Sequence, residues 1–399
     1  MLKTLTAFTL ITTLGVLILT GCQIANLTLF ASPTPTQTPT TSPTVTPTFT
    51  PTQTSTATPT ITPSPTPTLT PTPLLYALEG TPIPVTLPII TLSNSFQVSG
   101  LATMQEANVT DLKWMPAGGL LAVGTLQGIA LYEPWLHIRQ KFISTGEGMV
   151  SFDFDPTTTW LATGHRYGSE EQGYAGNLQI WVAPNFPRVA IFGDQRAISA
   201  VSYMPGGKVL ATALTSSVYE QNAVEFRETY SWEITRTLQT GAVLNIAFSP
   251  SGNMLASSPD RYAVKVWDLP TNSLLFTLYT SFTGAVNCLA FSPDGAFLAT
   301  GHYDGSVRLW ELSQGTLQKT FTTAGVVESL AFSPDSQLLA IGTSYNQHII
   351  QLWSIVDGNI LRTLEGHVHG IDFLAFSPGG NLLASASYDG EVRLWGIRP

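Results

Sequence analysis

Short apolar strands alternate with polar turns along the C-terminal three quarters of the chain. One unit recurs seven times: an apolar strand running into Pro and then a small or polar residue. The copies are LKWMPAGG from 112, FDFDPTT from 152, VSYMPGG from 201, IAFSPSG from 246, LAFSPDG from 289, LAFSPDS from 330 and LAFSPGG from 374. Their turn prolines, Pro116, Pro156, Pro205, Pro250, Pro293, Pro334 and Pro378, are 40, 49, 45, 43, 41 and 44 residues apart. A second apolar strand follows each, as in FLATG (297–301). A third ends in an aromatic in most copies, as in VRLW (307–310), and a fourth resembles ILRTL (360–364). β-Branched and aromatic runs bounded by Pro-Asp-Gly and Asp-Gly turns predict antiparallel hairpins. No segment sustains a 3.6-residue period, so helices are not expected.

Four strands per unit make a small twisted sheet that cannot cover both its faces alone. Stacking such sheets radially buries them against each other and leaves only short edges. Here the chain resembles the WD-repeat β-propeller family, over about residues 95–399. The Trp-Asp mark of that family stands complete at Trp267-Asp268; Trp310-Glu311 is close, and Trp181, Trp353 and Trp395 keep the Trp. Blade 1 has Tyr132 at this position and blade 3 has Arg227. The resemblance also implies a hydrogen-bonded set of a Gly-His, a Ser or Thr, an Asp and the Trp. Only the last repeat holds all four, as Gly366-His367, Ser385 or Ser387, Asp389 and Trp395; elsewhere Asp304 matches without its His.

The expected fold class is therefore all-β, a seven-bladed propeller of four-stranded antiparallel blades. The last repeat stops after Trp395 and lacks a fourth strand. Counting back from Pro116 by the internal spacing places the missing strand at Gln97–Thr103. A segment within Asn94–Thr103 is predicted to close the ring as the outer strand of blade 7.

Charge separates this repeating part from what precedes it. Lys3 is the only charged residue before Glu79; the remaining 26 acidic and 16 basic residues follow it, a net charge of −10. An acidic balance without a Lys/Arg cluster argues against nucleic-acid binding. Residues 1–21 have the short positive start and apolar run of an export signal. They lead into Leu19-Thr20-Gly21-Cys22, which resembles the lipobox of bacterial lipoproteins and implies a mature chain starting at lipidated Cys22. Such acyl chains hold a protein at a membrane. On that resemblance residues 22–31 are expected to form a lipid-anchored N-terminus. Residues 32–73 hold 12 Pro and 19 Thr in 42 positions, a disordered spacer with an extended reach of roughly 130 Å. Its Thr/Pro composition is also that of an O-glycosylated stalk. Residues 74–93 connect it to the propeller of residues 94–399. The expected location is outside the cytoplasmic membrane or on the cell surface, with a monomeric propeller.

Candidate chemistry is sparse. GxSxG, HExxH, P-loop and CxxC patterns are all missing. Cys288 sits in an apolar strand, and the FDFDP acids read as a turn. His367 and His369 have metal-like spacing, but His367 already has the Gly-His role. No catalytic residue, metal or cofactor is assigned. Two charges stand out: Lys113 and Asp153 occupy an inner-strand position that is small elsewhere (Ser202, Ala247, Ala290, Ala331, Ala375), and they are expected to approach each other. Seven tyrosines, Tyr167, Tyr174, Tyr219, Tyr262, Tyr303, Tyr345 and Tyr388, fall between second and third strands. Those connections open on one face of a propeller, where Tyr supplies contact area at low entropic cost. The expected role is a non-catalytic platform for a protein or glycan partner. One alternative is an extracellular propeller enzyme with a site at the central channel, for which His165 and His302 are the repeated candidates. A structural envelope component is the other.

Overall fold

A computed structural model describes residues 86–399 except 136–137, 170–172, 217–221, 242, 261, 281–284, 346 and 399, and the backbone of residues 18–19 and 23–24. The side chains of residues 169, 173–174 and 259–260 also fall outside it, and so do Cys22 and the Thr/Pro-rich segment.

Residues 99–396 form seven four-stranded antiparallel sheets arranged as a propeller. Six blades use four consecutive strands. Blade 1 is Val109–Trp114, Leu121–Thr125, Gly128–Glu133 and Ile138–Ser144; blade 6 is Val326–Phe332, Leu338–Ser344, Ile350–Ser354 and Ile360–Leu364. Blade 7 is assembled from both ends of the repeat region. Ile371–Phe376, Leu383–Ser387 and Glu391–Gly396 supply three strands, and Ser99–Gln105 pairs antiparallel with the last, Gly100 opposite Trp395. The closing strand lies where the missing fourth strand requires it, two residues further along than the predicted window. Among the described residues only one short helical turn, Ser95–Gln97, interrupts the strand pattern.

The turn after each inner strand explains the Ser-Pro pairs. Ser249, Ser292, Ser333 and Ser377 each accept the amide of the residue five positions on, at 2.9–3.0 Å. In blade 2 the Asp155 carboxylate takes that role, accepting Trp160 N at 2.6 Å. The cores lie between blades: Leu112, Leu121 and Tyr132 of blade 1 pack with Phe373, Val392 and Leu394 of blade 7. Each Leu or Val buried this way contributes about 1.5–3 kcal/mol.

Inner strands are joined around the channel by a girdle of hydrogen bonds that crosses every blade interface. Phe152 N donates to Asp111 (3.1 Å), Tyr203 N to Asp153 (2.7 Å) and Ser199 Oγ to Val243 O (2.6 Å). Asn245 donates to Asn287 O (2.8 Å), Asn287 to Val327 O (3.1 Å) and Ser329 Oγ to Ile371 O (2.7 Å). Trp114 Nε1 closes the circle on Ala375 O at 3.0 Å. The segment before the closing strand is pinned at the turn end of blade 7. Ile90 N donates to Gly380 O at 2.9 Å, and Ile90 and Val98 are buried with Trp395 and Ile397. The described chain thus enters on the face carrying the Pro turns, opposite the connections between second and third strands.

Candidate binding face and central channel

The third-strand tryptophans anchor a hydrogen-bond set inside the blades. In blade 7, Trp395 Nε1 donates to Ser385 Oγ (2.8 Å), His367 Nε2 bonds the same oxygen (2.8 Å), and His367 Nδ1 meets Asp389 Oδ2 (3.0 Å). The structure selects Ser385 over Ser387. Gly366 precedes this histidine at φ +149°, a backbone conformation that favours glycine, and a Cβ there would push the end of the Arg393 side chain aside. Burial pushes the His367 pKa down against the pull of Asp389. Burial also opposes ionisation of Asp389, but the hydrogen bond and charge of His367 together with the Val368 and Glu391 amides outweigh it and hold that carboxyl well below its ordinary range.

Blades 2 and 5 obtain the same set by another route. Trp181 donates to Thr163 Oγ1 (3.1 Å), which His165 Nε2 also meets (3.0 Å); Trp310 donates to Thr300 Oγ1 (3.0 Å), which meets His302 Nε2 (2.8 Å). The histidine comes from the second strand itself, two residues beyond the Thr. Both imidazoles are fully buried between blades. They are packing groups, and neither lies at the channel where an enzymatic role would place it. Burial lowers the His165 pKa and favours its neutral form. In blade 4, Trp267 donates to Ser257 Oγ (3.1 Å), and in blade 6, Trp353 donates to Gln351 (3.1 Å). Asp268 caps its turn by accepting Thr271 N at 2.9 Å. Asp304 accepts Ser306 N at 3.0 Å and faces Arg308 at 3.8 Å. Tyr132 replaces Trp by donating its hydroxyl to Glu106 at 2.5 Å. Arg227 lies over the Phe192 ring, 4.9 Å from its centroid.

His367, Asp389 and Glu391 bring ligand atoms within 4.8 Å of one another. Both ring nitrogens of His367 are committed to Ser385 and Asp389, and Glu391 holds Arg393 at 2.5 Å. The group is a structural network with no donor free for a metal. His369 turns away from it and packs edge-on against His348, 6.1 Å between centroids.

The channel is lined by the inner strands of all seven blades around a cavity of about 260 Å³. Lys113 Nζ and Asp153 Oδ1 meet at 3.0 Å there, as the inner-strand pattern predicts, and Asp111 stands 4.0 Å from the same ammonium. Burial opposes the Lys113 charge, but the two carboxylates outweigh it and raise its pKa. A feature invisible in the sequence is a β-bulge near the start of six inner strands. It leaves Thr110, Val150, Ser199, Asn287, Glu328 and Asp372 unpaired in the ladder. A bulge re-aims its side chain, and all of these but Asn287 line the cavity.

On the opposite face from the Pro turns, Tyr167, Tyr262, Tyr303, Tyr345 and Tyr388 are exposed by 37–75%. Tyr303 and Tyr345 meet edge to face, 6.1 Å between centroids. Tyr345 itself holds φ +71°, a strained conformation for an aromatic residue. Tyr167 stacks on His165, its hydroxyl accepting from Asn177 at 3.1 Å. Tyr167 and Tyr174 do not lie between the second and third strands of blade 2, as the pattern predicts, but on those strands. Trp160–Ser169 and Gly173–Val182 extend as a paired hairpin, with Gly168 opposite Tyr174. Tyr219 and the Tyr174 side chain lie outside the described residues. Two exposed residues extend the face beyond the predicted set. Tyr279 ends an outer strand opposite Ala263, and Val368 lies on the connection into blade 7. The spacing of the connections does not reach Tyr279, because it ends a strand.

The sequence model for "WD domain, G-beta repeat" matches residues 232–268, 272–311, 315–354 and 358–396. Each match takes the outer strand of one blade with the inner three of the next, the offset that leaves the last blade waiting for an N-terminal strand. The chain is 32% identical over 266 residues to periodic tryptophan protein 2 of Saccharomyces cerevisiae, covering 66% of this chain and 28% of that protein. It is 46% identical over 48 residues to the Schizosaccharomyces pombe homolog, covering 12% and 6%. It is 43% identical over 49 residues to nuclear distribution protein nudF 1 of Talaromyces marneffei, covering 12% and 11%. The chain therefore spans less than a third of these curated relatives.

Proposed function

We propose, from a chain that belongs to the WD-repeat β-propeller family, that this protein is a non-catalytic binding scaffold displayed outside the cytoplasmic membrane. Its ligand is a protein segment, held by the face that carries Tyr262, Tyr303, Tyr345 and Tyr388. The observation that carries this reading is the exposure of these aromatic rings together on one end of a rigid, closed ring. A rigid scaffold with exposed Tyr presents contact area without a large ordering cost. The entry of the chain at the opposite face supports the same reading. A lipid on Cys22 and a Thr/Pro-rich spacer would tether the propeller through its N-terminal end.

The enzymatic alternative loses its two repeated candidates, because His165 and His302 are buried packing groups. The test is capture of envelope proteins by the wild-type chain and by a Y303A/Y345A/Y388A variant, with a glycan array in parallel. Loss of the captured protein at unchanged melting temperature supports the reading. Capture that survives all three substitutions refutes it, and glycan binding without protein capture changes the ligand class. Cell fractionation of wild type and Cys22→Ala checks the anchor: release of the variant into the soluble fraction supports it.

A further inference from the structure

Six inner strands carry a bulge, and the bulge residues do not do the same work. Ser199 and Asn287 spend their polar groups on the backbone of the next blade, and Val150 has none to spend. Glu328, Asp372 and Thr110 differ. They occupy the equivalent position of three consecutive blades, 6, 7 and 1, and all three line the channel cavity. Glu328 is 5% exposed; its Oε1 accepts from Ser344 Oγ at 2.7 Å, and its Oε2 has no protein partner. Thr110 is 7% exposed, and its Oγ1 likewise has no protein partner. Among the described residues, no Lys, Arg or His side chain forms an ion pair with Glu328 or Asp372. The channel's own ammonium, Lys113, is committed to Asp153 and Asp111.

A buried carboxylate, Glu328, beside a half-buried one, Asp372, with no counter-charge on either is costly, and the Glu328 oxygen without a partner adds to that cost. A cation on the site relieves both. A bare metal ion asks for several converging ligands. Among the described residues, the only group of three His, Cys, Asp or Glu ligand atoms that converges is the one around His367. An organic cation needs fewer: two acceptors and a hydroxyl suit the donors of a guanidinium or ammonium. The bulges lie near the start of the inner strands. Ser344, the partner of Glu328, is followed directly by Tyr345, so this corner of the channel opens toward the tyrosine face.

We propose that Glu328, Asp372 and Thr110 form a receptor in the channel for one cationic group, the basic side chain of the segment bound across the tyrosine face. This rests on the binding-scaffold reading and names the anchor residue of its partner. The test titrates the full-length protein with N-acetyl-arginine amide and N-acetyl-lysine amide, using the neutral isostere N-acetyl-citrulline amide and calcium chloride as separate arms, and follows binding by ligand-observed NMR. Wild type should bind at least one basic derivative saturably and ignore citrulline. E328Q and D372N should each weaken that binding about tenfold, T110V less, and Y303A/Y345A not at all. The single variants are isosteric, and melting curves establish that they fold. Binding of citrulline equal to arginine, no binding of either basic derivative by wild type, or unchanged binding by folded E328Q and D372N overturns the proposal. Calcium binding that both variants abolish, without arginine or lysine binding, replaces it with a metal site. Capture of a protein partner that needs the tyrosines but not Glu328 or Asp372 leaves the scaffold reading standing and sinks this inference alone.

Discussion

Lys113 and Asp153 sit at the same position of consecutive inner strands, and their side chains meet at 3.0 Å across the interface of blades 1 and 2. Asp153 also accepts Tyr203 N from blade 3 at 2.7 Å. One carboxylate therefore ties three blades together and is the nearer of the two counter-charges of Lys113, Asp111 standing at 4.0 Å.

Asp153→Ala should destabilise the propeller by about 2–3 kcal/mol, since it removes the nearer counter-charge of a partly buried ammonium and the acceptor of the Tyr203 amide together. Lys113→Met should cost less, because Asp153 keeps its amide donor and the methionine stem still packs. Urea unfolding of the two variants checks the order; equal costs would contradict it.

Ser385 Oγ accepts from Trp395 Nε1 and donates its own proton to Nε2 of His367, whose Nδ1–H is committed to Asp389. Ser385→Ala leaves a buried donor, Trp395 Nε1, and a buried acceptor, His367 Nε2, unpaired and should cost about 2–4 kcal/mol. His165→Ala and His302→Ala should be destabilising by a similar mechanism plus a cavity. Thermal unfolding reads all three. Near-neutral His substitutions would show that the second-strand histidines do not replace the Gly-His of the last repeat.

Closure rests on Ser99–Gln105, which pairs with Glu391–Gly396. A chain beginning at residue 86 should melt cooperatively like the full protein. One beginning at residue 106 loses the outer strand of blade 7, exposes a sheet edge, and should melt at least 10 °C lower or aggregate. Scanning calorimetry with size-exclusion chromatography separates the outcomes.

The Glu328 pKa is pushed up to about 7 by burial, with the Ser344 hydrogen bond opposing. That of Asp372 is pushed up to about 8 by burial, then by the charges of Glu328 and Asp389. A carboxyl that holds its proton more tightly when folded favours the folded state below its folded pKa. That contribution is lost as pH rises from about 4 to about 8. His165 and His367, with lowered pKa values, act in the opposite sense as pH falls below about 6.5. The clean readout is therefore a difference: the melting temperature of E328Q/D372N minus that of wild type should increase from pH 5 to pH 9. A flat difference would show that these carboxyls are not held neutral.

The sequence by itself determined the blades, their number and their closure. The repeat of apolar strand, Pro turn and aromatic-ended strand is local, and each copy can bury its faces only against another copy. The Lys113–Asp153 contact was legible for the same reason, as two charges at a position otherwise kept small. Only the tertiary structure decided the rest. Residues such as Thr110, Glu328 and Asp372 are far apart in the chain, and a bulge changes where a side chain points without changing its composition. His165 and His302 read as candidates for chemistry because they repeat. Packing made them partners of Thr163 and Thr300, since a buried Trp N–H and a buried hydroxyl must be satisfied by whatever polar group the neighbouring strand can bring within 3 Å.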